Sequence, residues 1–237
     1  MLCVLVLPLP RSGSSMVAGI LHHLGVDMGP CQPPDVGNPL GYFEDVRFRW
    51  LHRSWSRRYA ANPARARLRL PPWDPAPDAL DLARYTRLIR ACEQRPCWGV
   101  KDPELCYYAP LFAATLRQPP RLIATTRDPG MAAASLRIMR PHFSPADCVN
   151  ITREYARRQA LTLEALEARG VAGALVVDYD EAVDDPAAAV RRIAESIGRP
   201  ATAAAAAFVT PRLRRHRRHR PADTLRNDDQ GVTTLTT

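Results

Sequence analysis

The most constraining feature of this sequence is its beginning, where an apolar run passes through a tight turn into a helical pattern. Residues 2–7 (LCVLVL) are apolar, PLPRSGSS follows at residues 8–15, and apolar residues then recur at helical spacing. A strand that enters a helix through a short Gly/Ser turn is a building unit of α/β proteins. The sequence therefore predicts a core strand at Leu2–Leu7 and a helix at Ser14–Leu24.

The same alternation continues along the chain. Three further apolar segments with turn residues on both sides predict buried strands at Cys97–Val100, Leu122–Thr126 and Ala174–Val177. Further helical patterns cover Ala79–Cys92, Leu105–Leu116, Met131–Met139, Pro145–Arg169 and Asp185–Ile197. Strands that alternate with helices predict an α/β fold, a parallel β-sheet flanked by helices on both faces.

One domain suffices for a chain of 237 residues, and we expect it to span residues 1–220. The polar residues 221–237 predict a disordered C-terminal tail. Residues 29–45, rich in Pro, Gly and Asn, predict a loop or lid. Residues 53–78, rich in Arg, Ala and Pro, predict a surface excursion.

Charge, hydropathy and cysteine usage limit the partners that are expected. Six arginines of the +9 chain lie in residues 212–220, so the body is only mildly basic, and we expect no specific nucleic acid. No apolar run approaches the length of a membrane span, and we expect no membrane contact. The six cysteines form no Cys-x-x-Cys pair, which favours reduced, mostly buried thiols and a cytoplasmic location.

The turn at Pro8–Ser15 has the composition of an anion site. Ligands of open parallel sheets bind beyond the carboxyl ends of the strands, and a helix that starts near Ser14 would offer free N–H groups there. Gly13 allows a close backbone approach, Arg11 adds a charged fork, and the serines add hydroxyl donors; they are Ser12, Ser14 and Ser15. Phosphate is the expected guest, and an ordinary capped helix is the alternative. The Gly-Lys pair of a Walker A loop is missing.

The stretch RLIATTRDPGMAAASLRIM, residues 121–139, repeats this arrangement. Arg127 ends a predicted strand, Pro129 fits the first position of a helix, and Ser135 follows two turns later. Arg127 and Ser135 could bind a second anionic group beside the first. The alternative is a strand–turn–helix in which Arg127 pairs with a surface carboxylate.

Together these segments resemble the sulfotransferases that use 3′-phosphoadenylyl sulfate (PAPS). PRSGSS resembles their 5′-phosphosulfate loop, and RDPGMAAAS resembles their 3′-phosphate motif, with Arg127 and Ser135 eight residues apart. VVDYDEAVDDP (176–186), NPLGYFED (38–45) and KDPELC (101–106) resemble further segments of bacterial and tyrosylprotein members. Departures occur at Pro8, where Gly is usual, and at Met131, where Asp is frequent.

The resemblance implies the P-loop-NTPase-like sulfotransferase fold and sulfuryl transfer from PAPS to a hydroxyl or amine, without a metal. Arg11, Ser12, Gly13, Ser14 and Ser15 would bind the phosphosulfate, and Arg127 and Ser135 the 3′-phosphate. The acceptor is left open between carbohydrate, lipid, peptide tyrosine and a small secondary metabolite. The rival functions are a nucleotide-dependent kinase and a non-catalytic nucleotide-binding module.

Three residues are predicted to be catalytic. Arg11 would support the leaving phosphate, as would Lys101, the one lysine in the chain, which follows the second strand. Glu44 resembles the family's general base, with pairing to Arg47 or Arg11 as its structural alternative. Weaker candidates for the base are Asp45, His22, His23 and His52.

The remaining conspicuous side chains have structural alternatives. Asp102 would orient Lys101 or cap the following turn. The acidic residues near residue 180 have the composition of a metal site, but Asp184 and Asp185, followed by a proline, would instead cap the next helix; the cluster is Asp178, Asp180, Asp184 and Asp185. Four aromatic residues would line an acceptor wall or pack in the core; they are Tyr42, Phe43, Trp50 and Trp55.

Overall fold

A computed structural model describes residues 1–58 and 77–209. Its sheet contains four parallel strands in the order β2-β1-β3-β4. Their bounds are β1 Leu2–Leu7, β2 Cys97–Lys101, β3 Arg121–Thr126 and β4 Leu175–Asp178. The predicted fold class, a parallel sheet flanked by helices, is confirmed, and each predicted strand boundary is correct to within one residue.

Nine helices occur in the described parts of the chain. They are α1 Ser14–His23, α2 Val46–Arg58, α3 Ala79–Cys92, α4 Leu105–Thr115, α5 Pro129–Met139, α6 Pro145–Glu167, α7 Tyr179–Asp184, α8 Pro186–Ser196 and α9 Ala203–Phe208. The six helices predicted from the sequence are all present, with ends within two residues of the prediction. None of these nine helices combines the length and the apolar character that a bilayer span requires.

The alternating side chains of β1 divide the core into two layers. Cys3, Leu5 and Leu7 point to one face, where residues of α2, α3, α4 and α6 cover them. Val4 and Val6 point to the other face, which α1, α8 and α9 cover. Both faces of the sheet are therefore buried, so a ligand would bind at the edge where the carboxyl ends of the strands meet.

Helix α2 corrects the prediction of a surface excursion at residues 53–78. Residues 53–58 complete α2, and Trp55 is fully buried. Phe48, Leu51 and Trp55 recur at helical spacing and pack into the core, whereas Trp50, Arg57 and Arg58 are exposed. The Arg-rich composition concealed this narrow apolar stripe. The rest of that segment, residues 59–76, lies outside the described residues, as do the basic run 212–220 and the predicted tail 221–237.

Local capping explains where several helices begin. The Asp128 side chain accepts the N–H of Met131, and Pro129 occupies the first turn of α5. Asp178 caps α7 and Asp185 caps α8 in the same way. The cap predicted at Asp184–Asp185 is therefore present at Asp185, and the cap at Asp178 was not predicted.

Candidate active site

The loop at residues 8–15 leaves β1 at the carboxyl edge of the sheet and depends on left-handed backbone at two residues. Arg11 has φ 63° and Gly13 has φ 79°. A Cβ on Gly13 would lie 2.3 Å from Cδ2 of Tyr179, so this position excludes every side chain on two grounds. The first N–H groups of α1, at Ser14 and Ser15, have no intrahelical partner and open toward the cavity beside this loop. The loop and helix form an anion-binding shape.

The sequence predicts that Ser12 contacts the ligand, but in the structure its side chain points into the protein. Its hydroxyl donates to the carbonyl of Leu9 at 2.8 Å and pairs with Oγ1 of Thr125 at 2.6 Å. Its N–H also donates to the carbonyl of Leu9, at 3.3 Å, and the residue is buried. Ser12 therefore ties the loop to β3 instead of facing the cavity, because a tight turn with two left-handed residues must satisfy its own backbone groups.

The two predicted anion sites lie side by side. Nε of Arg11 donates to Oγ of Ser135 at 3.1 Å, and Nη1 of Arg127 donates to the carbonyl of Arg11 at 3.2 Å. The guanidinium of Arg127 also lies over the ring of Tyr179, 4.4 Å from its centroid. This proximity follows from the sheet order, since β1 and β3 are neighbours and end at the same edge.

Lys101 connects the loop to a carboxylate that is distant in sequence. It ends β2 beside Val6 of β1 and is only 3% exposed. Its Nζ donates to Oε1 of Glu44 at 2.5 Å and to Oγ of Ser15 at 3.1 Å. An ammonium group thus stands between the start of α1 and a buried acid, where it can stabilise negative charge on a ligand.

Glu44 is held by two cations. Besides Lys101, Nη1 of Arg49 lies 3.1 Å from Oε2 of Glu44, and the residue is 2% exposed. Asp45 next to it pairs with Arg47 at 2.5 Å. The alternative partners considered for Glu44, Arg47 and Arg11, are therefore replaced by Lys101 and Arg49.

A buried histidine fixes the residue that follows Lys101. Nδ1 of His52 lies 3.2 Å from Oδ1 of Asp102, and Nε2 pairs with the Tyr85 hydroxyl at 2.8 Å. Asp102 also accepts the N–H of Glu104, as a turn cap. Burial opposes ionisation of Asp102, but His52, this N–H and the charge of Lys101 together lower its pKa. His52 is fully buried, so it supports the site from behind rather than facing a ligand.

A cavity of about 360 Å³ brings most of the predicted site residues together. Its lining includes Arg11, Gly13, Ser14, Ser15, Glu44, Lys101, Arg127 and Ser135. Sequence reasoning missed four charged residues of this lining, namely Glu104, Arg140 and two arginines of α2, Arg49 and Arg53. The signal for Glu104 was its place in KDPELC, three residues after Lys101. The signal for the two arginines lay in the unpredicted helix α2.

A sequence profile of the sulfotransferase family matches residues 4–203, which is most of the chain. The chain belongs to the sulfotransferase family. No curated protein sequence matches it significantly.

Two solved structures share the fold of this sulfotransferase family member. The sulfotransferase domain of the olefin synthase from Synechococcus PCC 7002 is 19% identical with a TM-score of 0.50, over 98% of this chain and 89% of that chain. Sulfotransferase STF1 from Mycobacterium tuberculosis H37Rv is 17% identical with a TM-score of 0.50, over 89% of this chain and 71% of that chain. At these identities the likeness concerns the fold alone.

The other candidate site residues of this sulfotransferase family member lie in separate places. Tyr42 lines the cavity, whereas Phe43 packs against His22 and Phe208 on the α1 side. Trp55 belongs to the core, and Trp50 is exposed on α2. Within residues 1–58 and 77–209, no group of three His, Cys, Asp or Glu side chains could hold a metal ion.

Proposed function

We propose that this protein transfers a sulfuryl group from PAPS to a hydroxyl or amine of a small-molecule, glycan or peptide acceptor. The observation that carries the proposal is the position of Lys101, which joins the anion loop at Ser15 to the buried acid Glu44. Family membership supports the transfer of a sulfuryl group. The free thiols of the chain are compatible with a reducing compartment, and we place the activity in the cytoplasm.

The cavity wall fits a ligand with two separated anionic groups. In the proposal, Arg11 and the N–H groups of Gly13, Ser14 and Ser15 hold the 5′-phosphosulfate. Arg127 and Ser135 hold the 3′-phosphate. The contact from Arg127 to the carbonyl of Arg11 supports this division, because it holds the Arg127 guanidinium against the backbone of the loop before a ligand arrives.

Each residue of the proposed centre has one task during transfer. Glu44 accepts the proton of the acceptor hydroxyl as that oxygen bonds to sulfur. The bond from sulfur to the bridging phosphate oxygen breaks, and the phosphate leaves with the electron pair. Lys101, Arg11 and the start of α1 stabilise the charge that grows on this phosphate. Lys101 already contacts both Glu44 and Ser15, so a small side-chain movement transfers its hydrogen bond to the phosphate.

Calorimetric titration with adenosine 3′,5′-bisphosphate, with and without Mg²⁺, tests the donor site. We expect metal-independent binding that Arg11→Ala and Arg127→Ala each weaken by about tenfold or more. Arg121→Ala is the matched control, because Arg121 is exposed at the opposite end of the strand that ends before Arg127. Mg²⁺-dependent binding of ATP without binding of the bisphosphate would refute the proposal in favour of a kinase.

A further inference from the structure

Glu104 is a cavity carboxyl group for which the proposed transfer has no use. It immediately precedes α4 and lines the same cavity as Glu44 and Lys101. Its Oε2 accepts a hydrogen bond from the hydroxyl of Ser56 at 2.5 Å, and Ser56 in turn contacts the Tyr108 hydroxyl at 2.9 Å. These contacts fix the carboxyl group from the α2 side, so it is presented to the cavity in a set orientation.

Glu104 differs from the neighbouring acidic residues in its ion pairing. Glu44 forms ion pairs with Lys101 and Arg49, and Asp102 pairs with His52. No cation among residues 1–58 and 77–209 lies within ion-pair distance of Glu104. A partly buried carboxyl group without a cation is costly, and a bound ligand that supplies a hydrogen-bond donor offsets that cost.

We propose that Glu104 determines acceptor specificity by binding a second hydrogen-bond donor of the acceptor, a hydroxyl or an ammonium group, while the reacting hydroxyl lies at Glu44. The inference rests on the proposed function, since it concerns the acceptor of that reaction. The acceptor class is then a compound with two donors, such as a diol, an amino alcohol or an aminomethyl phenol. A simple apolar alcohol would leave Glu104 unpaired and would bind less tightly.

The ionisation of Glu104 adds a pH signature to this geometry. Its pKa is raised to about 7, chiefly by burial and then by the charge of Asp102, while the Ser56 hydrogen bond and nearby arginines oppose the rise. Five other titratable or charged groups interact electrostatically with the Glu104 carboxyl group. They lie on α2, the β2–α4 turn, α4 and α6, and they are Arg49, Arg53, Asp102, Cys106 and Tyr155. Glu104 therefore gains its charge as the pH rises from 6 to 8, and recognition of an ammonium group strengthens over that interval.

Three phenols of nearly equal size test the proposal. They are 4-ethylphenol, 4-hydroxybenzyl alcohol and 4-hydroxybenzylamine, which end in a methyl, a hydroxyl and an ammonium group respectively. Each is assayed with PAPS for kcat and KM, and each is titrated into the complex of the protein with adenosine 3′,5′-bisphosphate. The proteins are the wild type, Glu104→Gln, Glu104→Leu and the control Glu167→Gln, whose carboxyl group is exposed at the end of α6.

We expect the wild type and the control to prefer the alcohol and the amine over 4-ethylphenol, by about tenfold or more for the amine at pH 8. Glu104→Gln should remove the preference for the amine and its pH dependence, mainly through KM, while bisphosphate binding stays unchanged. Equal constants for the three phenols in the wild type, or an unchanged preference in both Glu104 variants, would overturn the inference. Failure of all three phenols to react or bind, with the bisphosphate still bound, would also overturn it and leave the donor site intact. Loss of bisphosphate binding by the wild type would instead refute the proposed function.

Discussion

Nζ of Lys101 lies 2.5 Å from Oε1 of Glu44, and both side chains are almost fully buried at the carboxyl edge of the sheet. The two residues are 57 positions apart in the sequence, and the loop that carries Glu44 must fold over the sheet edge to form the pair. A buried ion pair beside an anion loop is costly to build and costly to break. The site is therefore complete only when the loop that carries Glu44 has folded against the sheet edge.

Replacement of Lys101 tests how much its ion pair with Glu44 contributes to the stability of the protein. Lys101→Met should destabilise the protein by about 3 kcal/mol, because Glu44 then loses its nearest cation in a buried setting. The double variant, Lys101→Met with Glu44→Gln, should recover part of this lost stability. Chemical denaturation of the two single variants and the double variant measures the recovery. A double variant that is less stable than the sum of the single effects would contradict a direct pair.

Lys101→Arg tests the shape of the cation. A guanidinium keeps the charge but is wider than the ammonium that fits between Ser15 and Glu44. We expect kcat to fall by about a hundredfold, with bisphosphate affinity changed much less. Full activity of Lys101→Arg, measured with an acceptor found by screening, would show that charge alone suffices.

Glu44→Gln tests the proposed base. The amide keeps the shape of the side chain but cannot accept the acceptor proton, so kcat should fall by about a hundredfold to a thousandfold with little change in KM for PAPS. Asp45→Asn is the neighbouring control, since Asp45 pairs with Arg47 and is absent from the cavity lining. Equal losses in both variants would point to a structural defect of the loop.

Gly13→Ala tests the anion loop. The new methyl group would meet the ring of Tyr179 and would also impose a left-handed alanine, so we expect both unfolding at a lower temperature and weaker bisphosphate binding. Gly170→Ala separates the two causes, because Gly170 has a similar φ of 77° but no atom within 4 Å of an added Cβ. Gly13→Ala should therefore be the more destabilised of the two, and equal melting temperatures would exclude the steric contact.

The raised pKa of Glu104 predicts how stability depends on pH. Its pKa is about 7 in the folded protein and near the ordinary 4.5 when unfolded, so between these values the folded state binds the additional proton. Its contribution to stability is complete below about pH 4.5 and is lost as the pH rises through 7. Glu104→Gln should therefore gain up to about 3 kcal/mol relative to the wild type between pH 4.5 and pH 8. Urea denaturation at both pH values measures the gain, and Glu167→Gln should show none.

Local signals explain why most secondary structure was predictable. The strands are short apolar runs between turn residues, and α3 and α6 begin at capping residues that the sequence displays. Helix α2 escaped prediction because its buried stripe is narrow and its other positions are rich in arginine. Ser12 was assigned to the ligand because a serine in such a loop can donate outward or inward, and only its contacts with Leu9 and Thr125 decide the direction.

By itself, the sequence determined that Arg11, Lys101 and Arg127 follow strands of a parallel sheet, and hence that they lie at one edge. The tertiary structure alone decided that Lys101 meets Glu44 and Ser15, and that Glu104 shares their cavity. The physical reason is that strand and helix signals act over a few residues. The partners of a buried charge depend instead on how distant loops pack, which no local pattern encodes.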